Sequence, residues 1–179
     1  MIAAMLNLTP VRIALVILLV ASGSIVGALI FEALGYAPCE LCLKERIPYY
    51  AGIALAGLAL FLAAKGPASL LPAAFAGLAL IFAASAAFGA YHAGVEWGFW
   101  PGPMDCTGVL DHTRSVEDFL KQLQTVKVVR CDAVAIRILG LSLAGWNAVI
   151  SVGLAALAGW GARRSGGLFS PRRKAALWP

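Results

Sequence analysis

Apolar residues in this chain gather into four unbroken runs, over about residues 13–31, 47–64, 69–91 and 141–160. None of the four contains an Asp, Glu, Lys or Arg. Each is close to the roughly 20 residues that a helix needs to cross about 30 Å of hydrocarbon. Lipid offers no partner to a loose backbone N–H or C=O, so runs of this kind are predicted to be helices. The first run passes the small residues Ala21-Ser22-Gly23, as a signal-peptide cleavage site requires, and continues to Phe31. That exceeds the core of about 7–15 residues in such a signal, so a retained span is predicted.

The polar stretches sort the chain into two sides. Four spans put both termini and the Lys65-Gly66-Pro67 turn on one side, and the loops over about 32–46 and 92–140 on the other. In the second loop, Trp100-Pro101-Gly102-Pro103 breaks any helix. After it, Val116, Phe119, Leu120 and Leu123 follow helical spacing, with Ser115 as N-cap and Asp118 three residues on. This predicts a short amphipathic helix lying on the membrane surface. The fold class expected is therefore all-α: a four-transmembrane-helix bundle with one short amphipathic helix in its second outer loop. Residues 1–162 form a single membrane domain, and 163–179 a tail. Tyr49, Tyr50, Tyr91, Trp146 and Trp160 fall near span ends, where aromatic belts form. Gly23 with Gly27, and Gly52, Ala56 and Gly57, suit close helix contacts.

Composition sharpens the membrane assignment. Hydrophobic residues make up 61% and charged residues 13%, against roughly 45–50% and about 25% in soluble domains. The net charge is +5. The tail carries Arg163, Arg164, Arg172, Arg173 and Lys174 without an acid, as a cytoplasmic membrane flank does. Each side carries seven basic residues, so only their density beside the spans favours cytoplasmic termini. No basic-aromatic surface accompanies the tail, which argues against nucleic-acid binding.

The candidate chemistry is in four cysteines, Cys39, Cys42, Cys106 and Cys131, all on the loop side. Cys39-Glu40-Leu41-Cys42 has the spacing of a redox-active dithiol and also that of half a zinc site. A structural disulfide at this spacing closes a small strained ring, and strained bonds are the labile ones. Four-cysteine zinc sites usually need a second such knuckle, and Cys106 and Cys131 do not form one. The redox reading is favoured, and no metal is expected. Helical pattern begins near Cys42, so a thiolate there faces the positive end of a helix. Arg46, one turn on, can favour that thiolate or donate to an oxygen of an apolar ligand arriving from lipid. Pairing Cys106 with Cys131 closes a long loop, a structural role on its own. Beside a redox dithiol it also offers a point of entry for electrons.

Cys-x-x-Cys-x-x-Glu-Arg ahead of the second span, a cysteine after a Pro-rich stretch, and Cys-Asp ahead of Leu-Gly-Leu and a Trp together resemble the DsbB family of disulfide-bond formation proteins. The likeness runs from the first span to the fourth. It implies a multi-pass protein of the bacterial inner membrane with its loops in the periplasm. It implies redox-active disulfides Cys39–Cys42 and Cys106–Cys131, and a DsbA-like thioredoxin-fold partner that attacks at Cys106. Cys131 would then pass electrons to Cys39–Cys42, and Cys42 to ubiquinone or menaquinone, with Arg46 and His92 binding the quinone. Glu40 departs from the apolar residue common at its place, and its charge is expected to disfavour a thiolate. The aromatic stretch 94–100 is a second departure.

Three rival readings fit the sequence less well. In the vitamin K epoxide reductase family the loop cysteines precede the Cys-x-x-Cys, and here they follow it. A protein whose disulfides merely staple loops leaves Arg46 without a purpose. A metal-handling protein sits poorly with the scarcity of His and Met in the outer loops.

Overall fold

A computed structural model describes residues 9–103, 115–117 and 129–167 of the chain. Its helices are α1 (Pro10–Ala33), α2 (Glu40–Ala64), α3 (Leu71–Glu96) and α4 (Leu143–Gly167), with a 3₁₀ turn, Ala68–Leu70, leading into α3. All four are long and apolar enough to cross a membrane. The protein is an all-α four-helix membrane bundle, as the apolar runs predict. The amphipathic helix falls largely outside the described residues, as do Cys106 and the basic tail beyond Gly167.

Local chemistry explains the helix ends. Thr9 caps α1 by accepting from Arg12 N–H, and Pro10 occupies the first turn, where its missing donor costs nothing. At the other end Gly35 takes φ +98°, Gly35 N–H donates to the Glu32 carbonyl and Tyr36 N–H to that of Phe31. The Phe31 and Tyr36 rings meet edge-on at 6.0 Å, completing a Schellman motif with its apolar contact. The same device ends α3: Gly98 has φ +74°, and Phe99 N–H reaches back to Gly94. The first two residues of the fourth apolar run are not helical. Arg137–Ile138 (β1) and Leu141–Ser142 (β2) form a small antiparallel hairpin closed by Leu139 and Gly140. Both turn residues have positive φ, the type I′ geometry that matches strand twist. Ser142 then caps α4 by accepting from Gly145 N–H.

The core is built from one face of each helix, among them Ile13, Ile17, Ala56, Phe75, Phe82 and Ala158. α3 and α4 share the most extensive contact. A Cβ on Gly89 would lie 2.9 Å from the Ala148 backbone nitrogen, so this glycine lets the two backbones approach. Gly52 leaves room for the Phe82 ring. Gly23, Gly27 and Gly57 have open space where a Cβ would go, so among the described residues the predicted GxxxG of the first span makes no close contact. Tyr49 corrects a second expectation. It is buried rather than interfacial, packs edge-on against Phe82 at 5.6 Å and shares a hydrogen bond with Ser151. Ser151 also bonds Ser85, which ties α2, α3 and α4 together by polar contacts in the apolar interior.

Candidate active site

The C-terminal ends of α1 and α3 and the N-terminal ends of α2 and α4 gather at one end of the bundle. Cys39 and Cys42 stand there, joined as a disulfide with 5.0 Å between their Cα atoms. The helix starts at Glu40 and not near Cys42, so Cys39 is the N-cap. Its Sγ accepts from Cys42 N–H at 3.1 Å. That places sulfur at the positive end of the α2 dipole, which stabilises a thiolate whenever the bond is open. Glu40 is less of an obstacle than its position in the sequence suggests: it faces solvent and pairs with Lys44 at 3.4 Å.

The burial of these sulfurs is uneven. Cys39 is buried and Cys42 half-buried. Cys39 shares a small apolar cluster with Leu41, Val95 and Cys131, against which Cys42, Phe88 and Val129 pack. The second loop therefore folds back and sets Cys131, 1% exposed, against the Cys-x-x-Cys. Cys131 is itself disulfide-bonded. Flanking it, exposed Arg130 holds the Asp132 carboxyl below the usual carboxylate range, through a direct hydrogen bond.

His92 lies within the last turns of α3, 2% exposed. Its Nε2 is 3.6 Å from Cys39 Sγ. Its Nδ1 is 2.9 Å from Glu45 Oε1. A buried carboxylate needs such a partner, since an unpaired charge there costs several kcal/mol. Arg46, the next residue, bonds Glu32 Oε2 from the end of α1, at 2.8 Å. Its side chain is 13% exposed. Sequence reasoning singled out His92 and Arg46 but not their carboxylates. Glu45 could have been found: Leu41, Glu45, Tyr49, Gly52 and Ala56 recur at helical spacing on the buried face of α2. Nothing local marks Glu32 as the partner of Arg46.

A cavity of about 250 Å³ opens beside these groups. Its wall is mostly apolar, from Ile25, Ala28 and Phe31 of α1 and Leu143 and Ile150 of α4, and Cys39, Cys42, Glu45, Arg46 and His92 line its sulfur end. Of the described residues predicted for the site, Cys39, Cys42, Arg46 and His92 line this cavity, and Cys131 packs behind them against Cys39. Trp100, from the aromatic stretch, closes over the end of α3: it stacks on Tyr91 at 6.0 Å and fills the space left by Gly94.

Four membrane-spanning helices with a Cys-x-x-Cys disulfide and a third disulfide-bonded cysteine at one end define a class, the integral-membrane thiol–disulfide oxidoreductases. The chain belongs to the DsbB family: the model of "Disulfide bond formation protein DsbB" matches residues 10–161. A relative from Rickettsia prowazekii (strain Madrid E), described as "Uncharacterized protein RP370", is 25% identical over 149 residues, covering 82% of this chain and 80% of its own. No solved structure matches the chain significantly. The protein is thus a multi-pass membrane protein of disulfide-bond formation.

Proposed function

We propose that the protein reoxidises a periplasmic thioredoxin-fold oxidant of the DsbA kind and passes the electrons to ubiquinone or menaquinone in the bacterial inner membrane, its termini in the cytoplasm. The observation that carries this reading is the packing of Cys131 against Cys39, at the mouth of an apolar cavity that also holds Cys42 and Arg46.

The relay runs by thiol–disulfide exchange. A thiolate of the partner attacks Cys106 in a Cys106–Cys131 disulfide, and Cys131 leaves as a thiolate. The partner's second thiol resolves the mixed disulfide, so the partner leaves oxidised and the Cys106/Cys131 pair is left reduced. Cys131 then attacks Cys39, and Cys42 leaves as a thiolate towards the cavity. Cys106 closes on Cys131, which restores their disulfide and leaves Cys39 and Cys42 as a dithiol. His92 Nε2 stands where it can hold the proton of Cys39, with Glu45 fixing the ring. A quinone bound in the cavity would take up the two electrons and two protons of that dithiol, closing the Cys39–Cys42 bond again.

The site suits such a group. A quinone ring is flat and apolar with carbonyl acceptors at its edge, and the cavity offers apolar walls with a guanidinium at one end. Glu32 engages only Nη1 of Arg46, and a guanidinium has further N–H donors to give. The test is anaerobic turnover of a reduced thioredoxin-fold protein, followed through the ultraviolet absorbance of added quinone. Oxidation should require quinone in stoichiometric amount, and equal turnover without it would overturn the reading.

A further inference from the structure

We infer that Cys39, Cys42 and His92 form a three-ligand site for a zinc-like divalent cation whenever the Cys39–Cys42 bond is open, and that metal there arrests the enzyme in its reduced state. The inference rests on the proposed function only in needing the dithiol state, which thiol–disulfide chemistry in this family supplies.

The two Sγ atoms and a ring nitrogen of His92 all lie within 4.8 Å of one another. Donors around a tetrahedral zinc ion stand roughly 3.3–3.8 Å apart, given Zn–S of about 2.3 Å and Zn–N of about 2.0 Å. The set therefore has to close by about 1 Å once the sulfurs part. Two thiolates and one imidazole are a donor set that zinc prefers. The imidazole is also oriented for it. With Nδ1 turned to Glu45 Oε1, Nε2 faces Cys39 Sγ, and in the tautomer that donates from Nδ1 the Nε2 lone pair is free for a metal. A carboxylate on the far nitrogen is the usual second partner of a metal-bound histidine, and it raises the basicity of the ligating one. Cys39 and His92 are buried and Cys42 half-buried at the cavity, so the fourth position opens there.

The disulfide has no thiolate to offer, so the site exists in one redox state only. Binding displaces two thiol protons to solvent and forms two metal–sulfur bonds. No electron moves. A sulfur held by metal is withdrawn from exchange, and the ion stands where the electron acceptor has to approach Cys42. Micromolar zinc should then inhibit turnover by holding the dithiol, and a chelator should restore it.

Cobalt(II) reports such a site by its colour. The full chain carrying Cys106→Ser and Cys131→Ser, so that one dithiol remains, is reduced in detergent, freed of reductant under argon and titrated with cobalt(II). The expected result is one ion per chain, with a thiolate-to-cobalt band in the near ultraviolet and tetrahedral bands in the visible, all lost on adding zinc. The oxidised form of the same protein should give neither. His92→Ala should weaken binding at least tenfold and shift the visible bands, and Glu45→Gln should weaken it about tenfold. A reduced protein without the thiolate band, or equal binding by the oxidised form, overturns the inference. So does a His92→Ala protein that keeps the wild-type spectrum and affinity. Reduced and oxidised forms share one polypeptide, so that comparison is independent of any folding defect in the variants. Wild-type turnover with quinone in chelated buffer tests the proposed function separately.

Discussion

His92 Nδ1 lies 2.9 Å from Glu45 Oε1, joining α3 to α2 inside the bundle and 3.6 Å behind the sulfur of Cys39. The contact turns two costly polar groups into one mutually satisfied pair and fixes which ring nitrogen faces the cysteine.

Glu45→Ala should therefore be worse than Glu45→Gln. Alanine leaves Nδ1 buried without a partner, at a cost of about 1–3 kcal/mol. Glutamine keeps an acceptor and should lower turnover several-fold with little loss of stability. Thermal unfolding in detergent, beside quinone-dependent turnover, separates the two. Equal melting temperatures for the variants would show that the pair does not support the fold.

Arg46→Ala should raise the apparent KM for quinone about tenfold or more and leave the KM for the thioredoxin-fold partner unchanged. Glu32→Gln should have a smaller effect in the same direction, since it frees a guanidinium that Glu32 holds by Nη1. Arg46→Lys should not rescue, because an ammonium cannot bridge a carboxylate and a second oxygen in one plane. An unchanged quinone KM in Arg46→Ala removes this residue from the binding site.

Cys106→Ser should abolish oxidation of the partner while Cys39–Cys42 stays reducible by a small dithiol. Thiol trapping of each pair by gel shift checks this. Surviving partner oxidation would mean that electrons enter elsewhere.

Gly89→Ala should destabilise the bundle by about 1–3 kcal/mol, because overpacking at a backbone contact forces the helices apart. The new Cβ would meet the Ala148 nitrogen at 2.9 Å. Gly23→Ala, where nothing lies within 4 Å, should be neutral or slightly stabilising. Paired melting curves decide it. A neutral Gly89→Ala would contradict the close approach of α3 and α4.

The Arg130–Asp132 pair sets a limit on pH effects near Cys131. Arg130 lowers the pKa of Asp132, so whatever stability the pair gives is present above the unfolded carboxylate value and is lost as pH falls through the folded one. Both groups are exposed and the pair is screened by salt. Asp132→Asn should thus change partner oxidation less than twofold at neutral pH. A larger loss would assign Asp132 a part in docking.

Much of this architecture is legible in the chain itself. Four runs free of charge leave lipid as the only environment that suits them, and Cys-x-x-Cys beside Arg46 marks the reactive end. What is not legible depends on rotation about helix axes and on contacts across the bundle. Tyr49 and Tyr50 are neighbours in sequence near a span end, yet one is buried against Phe82 and the other half exposed. Gly23 and Gly27 carry a recognised spacing but face open space, whereas Gly89, with no motif around it, makes the close contact. Glu45 is the sequence neighbour of Arg46, yet on the buried face of α2 it pairs with His92. Glu32 needs tertiary structure altogether, because no spacing rule relates it to a residue fourteen positions later.

In the proposed relay Cys39 both reacts and caps α2. A thiolate accepts a hydrogen bond more strongly than a disulfide sulfur does, so gaining electrons tightens the first turn instead of loosening it. Turnover should then modulate the hydrogen bond of one amide, and proton exchange at Cys42 N–H should slow whenever Cys39 is a thiolate. A spectroscopist could follow the oxidation state of this membrane protein from a single peptide group.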